Sequence, residues 1–227
     1  MNENLYLFLF SLSILFAAVI GLIRYKNSNN SYRPFLWYIF SSLLNELLVG
    51  FYLAYTSKGN QIADLNLFNL LECVLFLAQF YYWQLFIKHR KTFYIIGGSL
   101  VIMWIGENFI YSNIKSFNYV FLISYSFVLA LFSIYTINTI VVKLNRSLFK
   151  NSMFIICVGM VIYFIYTIIV FTFLLIGKDK HILREIFGIK VFVNAFVNLI
   201  YAVAVYFIPR KTQHLNFFDD SKRQIHT

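Results

Sequence analysis

The sequence predicts an all-α polytopic membrane protein, a bundle of seven transmembrane helices with the N-terminus outside and the C-terminus cytoplasmic. Three observations predict it. Apolar runs long enough to cross a bilayer recur seven times along the 227 residues. Hydrophobic residues make up 60% and charged residues 12%, with a mean hydropathy of +0.72; soluble domains have roughly 45–50% and about 25%. Lysine and arginine gather in alternate connections between the runs. With only 2 Cys, 2 Pro and 9 Gly, the chain is neither disulfide-built nor collagen-like.

A spanning helix needs about 20 predominantly apolar residues. The first run, residues 5–23, follows Met1-Asn2-Glu3-Asn4. That start carries no positive charge, and the run is longer than a secretory h-region, so it reads as a retained helix. The second run, 35–55, begins behind Pro34. The third to sixth are 65–87, 93–111, 120–142 and 153–176. The seventh, 186–208, stops at Pro209. Residues 1–209 thus form one seven-helix transmembrane domain, and 210–227 a short basic cytoplasmic tail. Neither proline falls inside a run. Many alternating-access transporters build sites from helices broken by Gly and Pro, so the unbroken runs count against that class.

Orientation follows from the basic residues of the loops. Arg24, Lys26 and Arg33 follow the first run, Lys88, Arg90 and Lys91 the third, and Lys143, Arg146 and Lys150 the fifth. The tail holds Arg210, Lys211, Lys222 and Arg223. The other side keeps Lys58, Lys115, Lys178, Lys180, Arg184 and Lys190. The bias has one sign at every loop. It also accounts for the net charge of +10 without a nucleic-acid partner. The basic groups are spread over several loops facing anionic lipid heads rather than lining one groove.

Polar groups inside a membrane are costly and ask for a reason. Glu46, Asp64, Glu72, Glu107, Asp179 and Glu185 all fall on the outer side or in the outer half. In the third run Asn69, Glu72, Phe76, Gln79 and Trp83 recur at steps of three and four, which puts them on one helical face. In the seventh, Lys190, Asn194, Asn198, Tyr201 and Val205 do the same. Ser42, Asn45 and Glu46 come from the second run, Trp104, Glu107 and Asn108 from the fourth, and Tyr163, Tyr166 and Thr167 from the sixth. These patterns predict an outward-opening polar cavity lined by runs two, three, four, six and seven. The candidate ligand-binding residues are Glu46, Asn69, Glu72, Glu107, Lys190 and Asn194, with Lys190 paired to Glu72 or Glu107. The competing reading is interhelical adhesion through the same polar groups, at about 0.6–2 kcal/mol per contact. Trp37, Tyr38, Tyr81, Tyr82 and Trp83 read as anchors at the membrane interface.

Catalytic and metal chemistry finds few residues. The four histidines lie in loops or the tail, so no intramembrane metal-ligand set appears. Cys73 and Cys157 sit at different depths, against a disulfide, and neither has a basic neighbour to activate it. Gly97-Gly98 lacks the following Lys-Ser/Thr of a phosphate loop and reads as a packing site. The sequence therefore implies no enzyme, no cofactor and no metal.

The Asn-Leu-Leu-Glu stretch at 69–72 leads into Phe80-Tyr81-Tyr82-Trp83. The sixth run carries Gly159-Met160-Val161-Ile162-Tyr163-Phe164, and the last Val193-Asn194 and Asn198-Leu199-Ile200-Tyr201. With these motifs the chain resembles small seven-helix membrane proteins of Bacteroidota and the membrane sensor halves of their histidine kinases. The resemblance implies sensing or signal relay. No kinase domain fits in the tail, so output would need a separate partner, membrane-bound or cytoplasmic. The expected function is a non-enzymatic sensor or ligand-binding module of the bacterial inner membrane, taking a small molecule or peptide from outside. A structural subunit of a secretion, motility or defence complex is the alternative, and a small-molecule transporter the third reading.

Overall fold

The computed structural model describes residues 10, 12–51, 58–86, 90–143, 148–177 and 180–211. Among them the regular structure is helical, in seven α-helices: α1 Ile14–Arg24, α2 Arg33–Phe51, α3 Lys58–Tyr82, α4 Arg90–Ile105, α5 Tyr119–Lys143, α6 Ser152–Leu175 and α7 Lys180–Tyr206. The chain of α4 continues as a π-helix over Gly106–Tyr111. Short 3₁₀ turns at Asn30–Tyr32 and Leu148–Lys150 lead into α2 and α6. Part of the first apolar run, residues 5–9, and the tail from 212 lie outside the described residues.

Among the described residues, five stretches are long and apolar enough to cross a membrane: Asn60–Tyr82, Arg90–Tyr111, Tyr119–Val142, Ser152–Leu175 and Gly188–Tyr206. The other two helices border residues outside the described ones. α1 has 11 described residues, and α2 has 19, with Arg33, Asn45 and Glu46 among them. The outer surface matches such a role. Leu22, Ile23, Ile95, Ile102, Phe109, Ile110 and Val142 are each more than 60% exposed. A soluble monomer rarely shows so large an apolar surface.

Packing closes a ring. α1 lies against α2 and α7, α2 against α3, α3 against α5, α5 against α6, and α6 against α7. α4 touches α3 and α5 from outside. This corrects the expectation that the fourth run lines the interior; α5 takes its place. α6 is the most deeply packed helix, with half of its apolar window buried. Its approach to α7 depends on Gly159, where an added Cβ would come within 2.6 Å of Tyr201 Cε1. Of the Gly97-Gly98 pair, a Cβ on Gly97 would meet Leu77 at 3.8 Å and one on Gly98 nothing within 4 Å. Only Gly97 faces a neighbour.

One end of the bundle is fastened by polar contacts. Ser28 and Arg210 form an antiparallel bridge. The Asn29 amide donates to Pro209 O (2.9 Å), the Lys211 amide to Asn27 O (3.0 Å), and Arg24 Nη2 to Ile208 O (3.0 Å). The exits of α1 and α7 are thereby clasped together. At the same end Gln79, fully buried, accepts from the Phe35 amide (2.9 Å) and donates to Ser31 O (2.6 Å). It satisfies backbone groups at the start of α2 that a helix N-terminus leaves open. Asn151 caps α6 by accepting from the Met153 and Phe154 amides.

Candidate functional site

The centre of the ring is built around one carboxyl group. Glu72 lies on the inward face of α3 and is 1% exposed. Its Oε2 accepts a 2.6 Å hydrogen bond from the Tyr125 hydroxyl of α5. The hydroxyls of Tyr38 from α2 and Tyr163 from α6 stand beside the same carboxyl, and Lys190 of α7 acts on it through space. Five helices thus contribute to one group. Oε1 nevertheless stays buried without a hydrogen-bond partner, as does the hydroxyl of Tyr201 on α7.

An aromatic wall holds these groups. Tyr38 packs on Phe76 with ring centroids 4.3 Å apart and meets Tyr201 edge-on at 6.1 Å. Phe164 touches Phe76 at 5.6 Å and Tyr125 at 6.0 Å. Phe35 closes against Tyr201 at 5.2 Å. Edge-to-face pairs of this kind favour fixed ring orientations. The open polar cavity expected from the sequence is therefore filled around Glu72 by tyrosine side chains.

Of the six candidate ligand-binding residues, three meet here. Glu72 is central, and Lys190 feels both Glu72 and Glu46. The Lys190 ammonium lies 4.7 Å from the ring centroid of Phe171, a cation–π placement. Asn69 is buried one turn before Glu72 on α3, and Asn194 is half-buried one turn after Lys190 on α7. Glu107 is elsewhere. From the π-helix its Oε1 accepts from the Val120 amide (3.1 Å) and its Oε2 from the Phe121 amide (2.7 Å). It caps α5, where a carboxylate offsets the positive end of the helix dipole. The proposed Lys190–Glu107 pairing gives way to this cap.

The tyrosines form the part that sequence reasoning undervalued. Tyr38, expected at the interface belt, is 5% exposed, and Trp83 of the same group is 4% exposed. Trp37, Tyr81 and Tyr82 do face outward. The missed signal is periodic: Tyr38, Ser42 and Glu46 lie at steps of four on α2, so Tyr38 shares their face. The opposite end of the ring is anchored by Asn66. Its Nδ2 donates to Ile114 O and Ser116 O, each at 2.8 Å, and its backbone oxygen accepts from Trp104 Nε1 at 3.0 Å. On α7, Asn198 Nδ2 donates to Ser13 Oγ (2.9 Å). That is interhelical adhesion, the competing reading of the polar stripes.

Cys73 and Cys157 are free and buried. Among the described residues no group of three His, Cys, Asp or Glu side chains could hold a metal ion. No protein-family profile, curated protein or solved structure matches the chain.

Proposed function

We propose that this chain is a non-enzymatic sensor or ligand-binding module of a bacterial inner membrane, acting through a separate partner protein. It crosses the membrane seven times, with the N-terminus outside and the C-terminus cytoplasmic. The observation that carries the reading is the unfinished bonding at its centre. Buried polar atoms are nearly always paired, and intramembrane ionisable groups mark function by default. Glu72 Oε1 and the Tyr201 hydroxyl are both unpaired, and they stand on α3 and α7. A polar ligand entering from the outer side would bond to both and change how the two helices pack. The end of α7 is tied to the end of α1 by the clasp, so the change would reach the basic end, where the tail leaves and a partner can read it. The resemblance to the sensor halves of histidine kinases points the same way.

The topology is supported by two features. The exits of α1 and α7 lie together, as an odd number of crossings requires. Arg24, Arg33, Arg90, Lys150 and Arg210 belong to that same end, which fits a cytoplasmic face.

A structural subunit is the second reading, favoured by the tight tyrosine packing and the Asn198–Ser13 tie. Thermal unfolding of the full chain with and without small polar molecules separates the two. The sensor reading expects stabilisation by at least one compound, lost in Glu72→Gln and weakened in Lys190→Met while both variants still fold. Equal responses in the wild type and both variants would discard it, and a stoichiometric partner binding all three forms alike would favour the subunit.

A further inference from the structure

At the clasped end, outside the ring, Tyr81, Tyr82, Gln84, Phe86, Arg90 and Phe93 surround a groove of about 170 Å³. It lies where α3 ends and α4 begins, at the end of two stretches long and apolar enough to span a membrane. Its floor is aromatic and fixed. Phe93 is buried and packs on Phe86 at 5.3 Å and Tyr81 at 5.7 Å, and Phe86 is backed by Phe132 of α5 at 4.7 Å. Its rim is amphipathic. Tyr82 is 54% exposed, and the Tyr94 hydroxyl beside the groove reaches that of Tyr81 at 3.5 Å.

The charge at this groove has one sign. Arg90 lines it, and Lys91 follows on α4. Of the acidic side chains described, Glu46, Asp64 and Glu107 lie toward the opposite end of their helices, and Glu72 is buried inside the ring near the middle of α3. No carboxylate is therefore at hand to neutralise Arg90 among the described residues. Next to the groove, Tyr94 and Ile95 are 60% and 70% exposed and extend an apolar face along α4. A cationic, hydrogen-bonding head beside an aromatic floor and an exposed apolar flank matches the three parts of a phospholipid.

We propose that this groove binds one anionic phospholipid of the surrounding bilayer. The phosphate sits on the Arg90 guanidinium. The headgroup lies among the tyrosine hydroxyls, and the acyl chains run along Phe86, Tyr94 and Ile95. The inference is independent of the Glu72 centre, which lies inside the ring.

Native mass spectrometry of the full chain, released from vesicles of equal phosphatidylglycerol and phosphatidylcholine, tests it. The wild type is expected to retain one phosphatidylglycerol in preference to phosphatidylcholine. Arg90→Gln should cut that preference about fivefold, the size of one basic contact at an anionic surface. Lys150→Gln, which removes an exposed basic residue of the same end outside the groove, should leave it unchanged. Unfolding temperatures in phosphatidylcholine alone check that both variants fold. Equal retention of the two lipids, an unchanged preference in Arg90→Gln, or the same loss in Lys150→Gln would overturn the proposal. So would displacement of the lipid by millimolar inorganic phosphate, which would make the site one for the free anion.

Discussion

Gly159 shows how much of the centre rests on a single missing methyl group. A Cβ there would stand 2.6 Å from Tyr201 Cε1 and 3.3 Å from Ile200 Cγ2. The Tyr201 ring cannot swing aside, because Phe35 and Tyr38 flank it and it is 1% exposed. Alanine is a better helix former than glycine by about 1 kcal/mol, but overpacking a filled core costs roughly 1–3 kcal/mol. With a contact this short, Gly159→Ala is expected to lower stability by about 1–2 kcal/mol net in denaturant titrations of the detergent-solubilised chain. Gly98→Ala is the matched control. Its Cβ meets nothing within 4 Å, so only the helix-propensity gain remains and stability should hold or rise. Equal effects at the two glycines would mean that α6 and α7 do not approach as described.

At the scale of the element, the end of α3 is a backbone motif built on an unusual residue. The Gln84 amide donates to Tyr81 O (2.9 Å) and the Leu85 amide to Phe80 O (3.2 Å), the two bonds of a Schellman cap. Gln84 occupies the left-handed position with φ of 60°, where glycine has no Cβ penalty. Gln84→Gly is expected to raise stability by about 0.5–1 kcal/mol in the same titrations, and a loss would show that the glutamine side chain makes a contact worth more than the strain. The sequence offered no hint of this cap, since its marker residue is absent. The helices themselves were legible, because length and apolarity suffice to define them: 120–142 against Tyr119–Lys143, and 153–176 against Ser152–Leu175. The inward faces of α3 and α7 followed from their polar spacing. What spacing could not supply was which faces meet. Glu107 looked like a cavity residue because its partners are backbone amides, which carry no mark in the sequence. Tyr125 gained its importance only when α5, rather than α4, closed the ring.

For the whole molecule, the physical question is whether its two charged ends correspond to two sides of a membrane. A basic end held by the clasp and an opposite end carrying Lys115 near Asn66 are fixed by contacts within the chain, so each end must act as a unit. The two native cysteines are each 0% exposed, which leaves the wild type silent toward a membrane-impermeant maleimide. Single replacements at exposed positions then read each end separately. Lys150→Cys, just before α6, is expected to label only after the cytoplasmic side is opened. Lys115→Cys, in the connection anchored by Asn66, is expected to label in intact cells. The two results are linked by the geometry, because any odd-crossing arrangement that reverses one must reverse the other. Labelling of both from one side would place together ends that five spanning-length helices hold apart. Labelling of Lys150→Cys from outside would invert the orientation, and the entry route to Glu72 would then start from the cytoplasm.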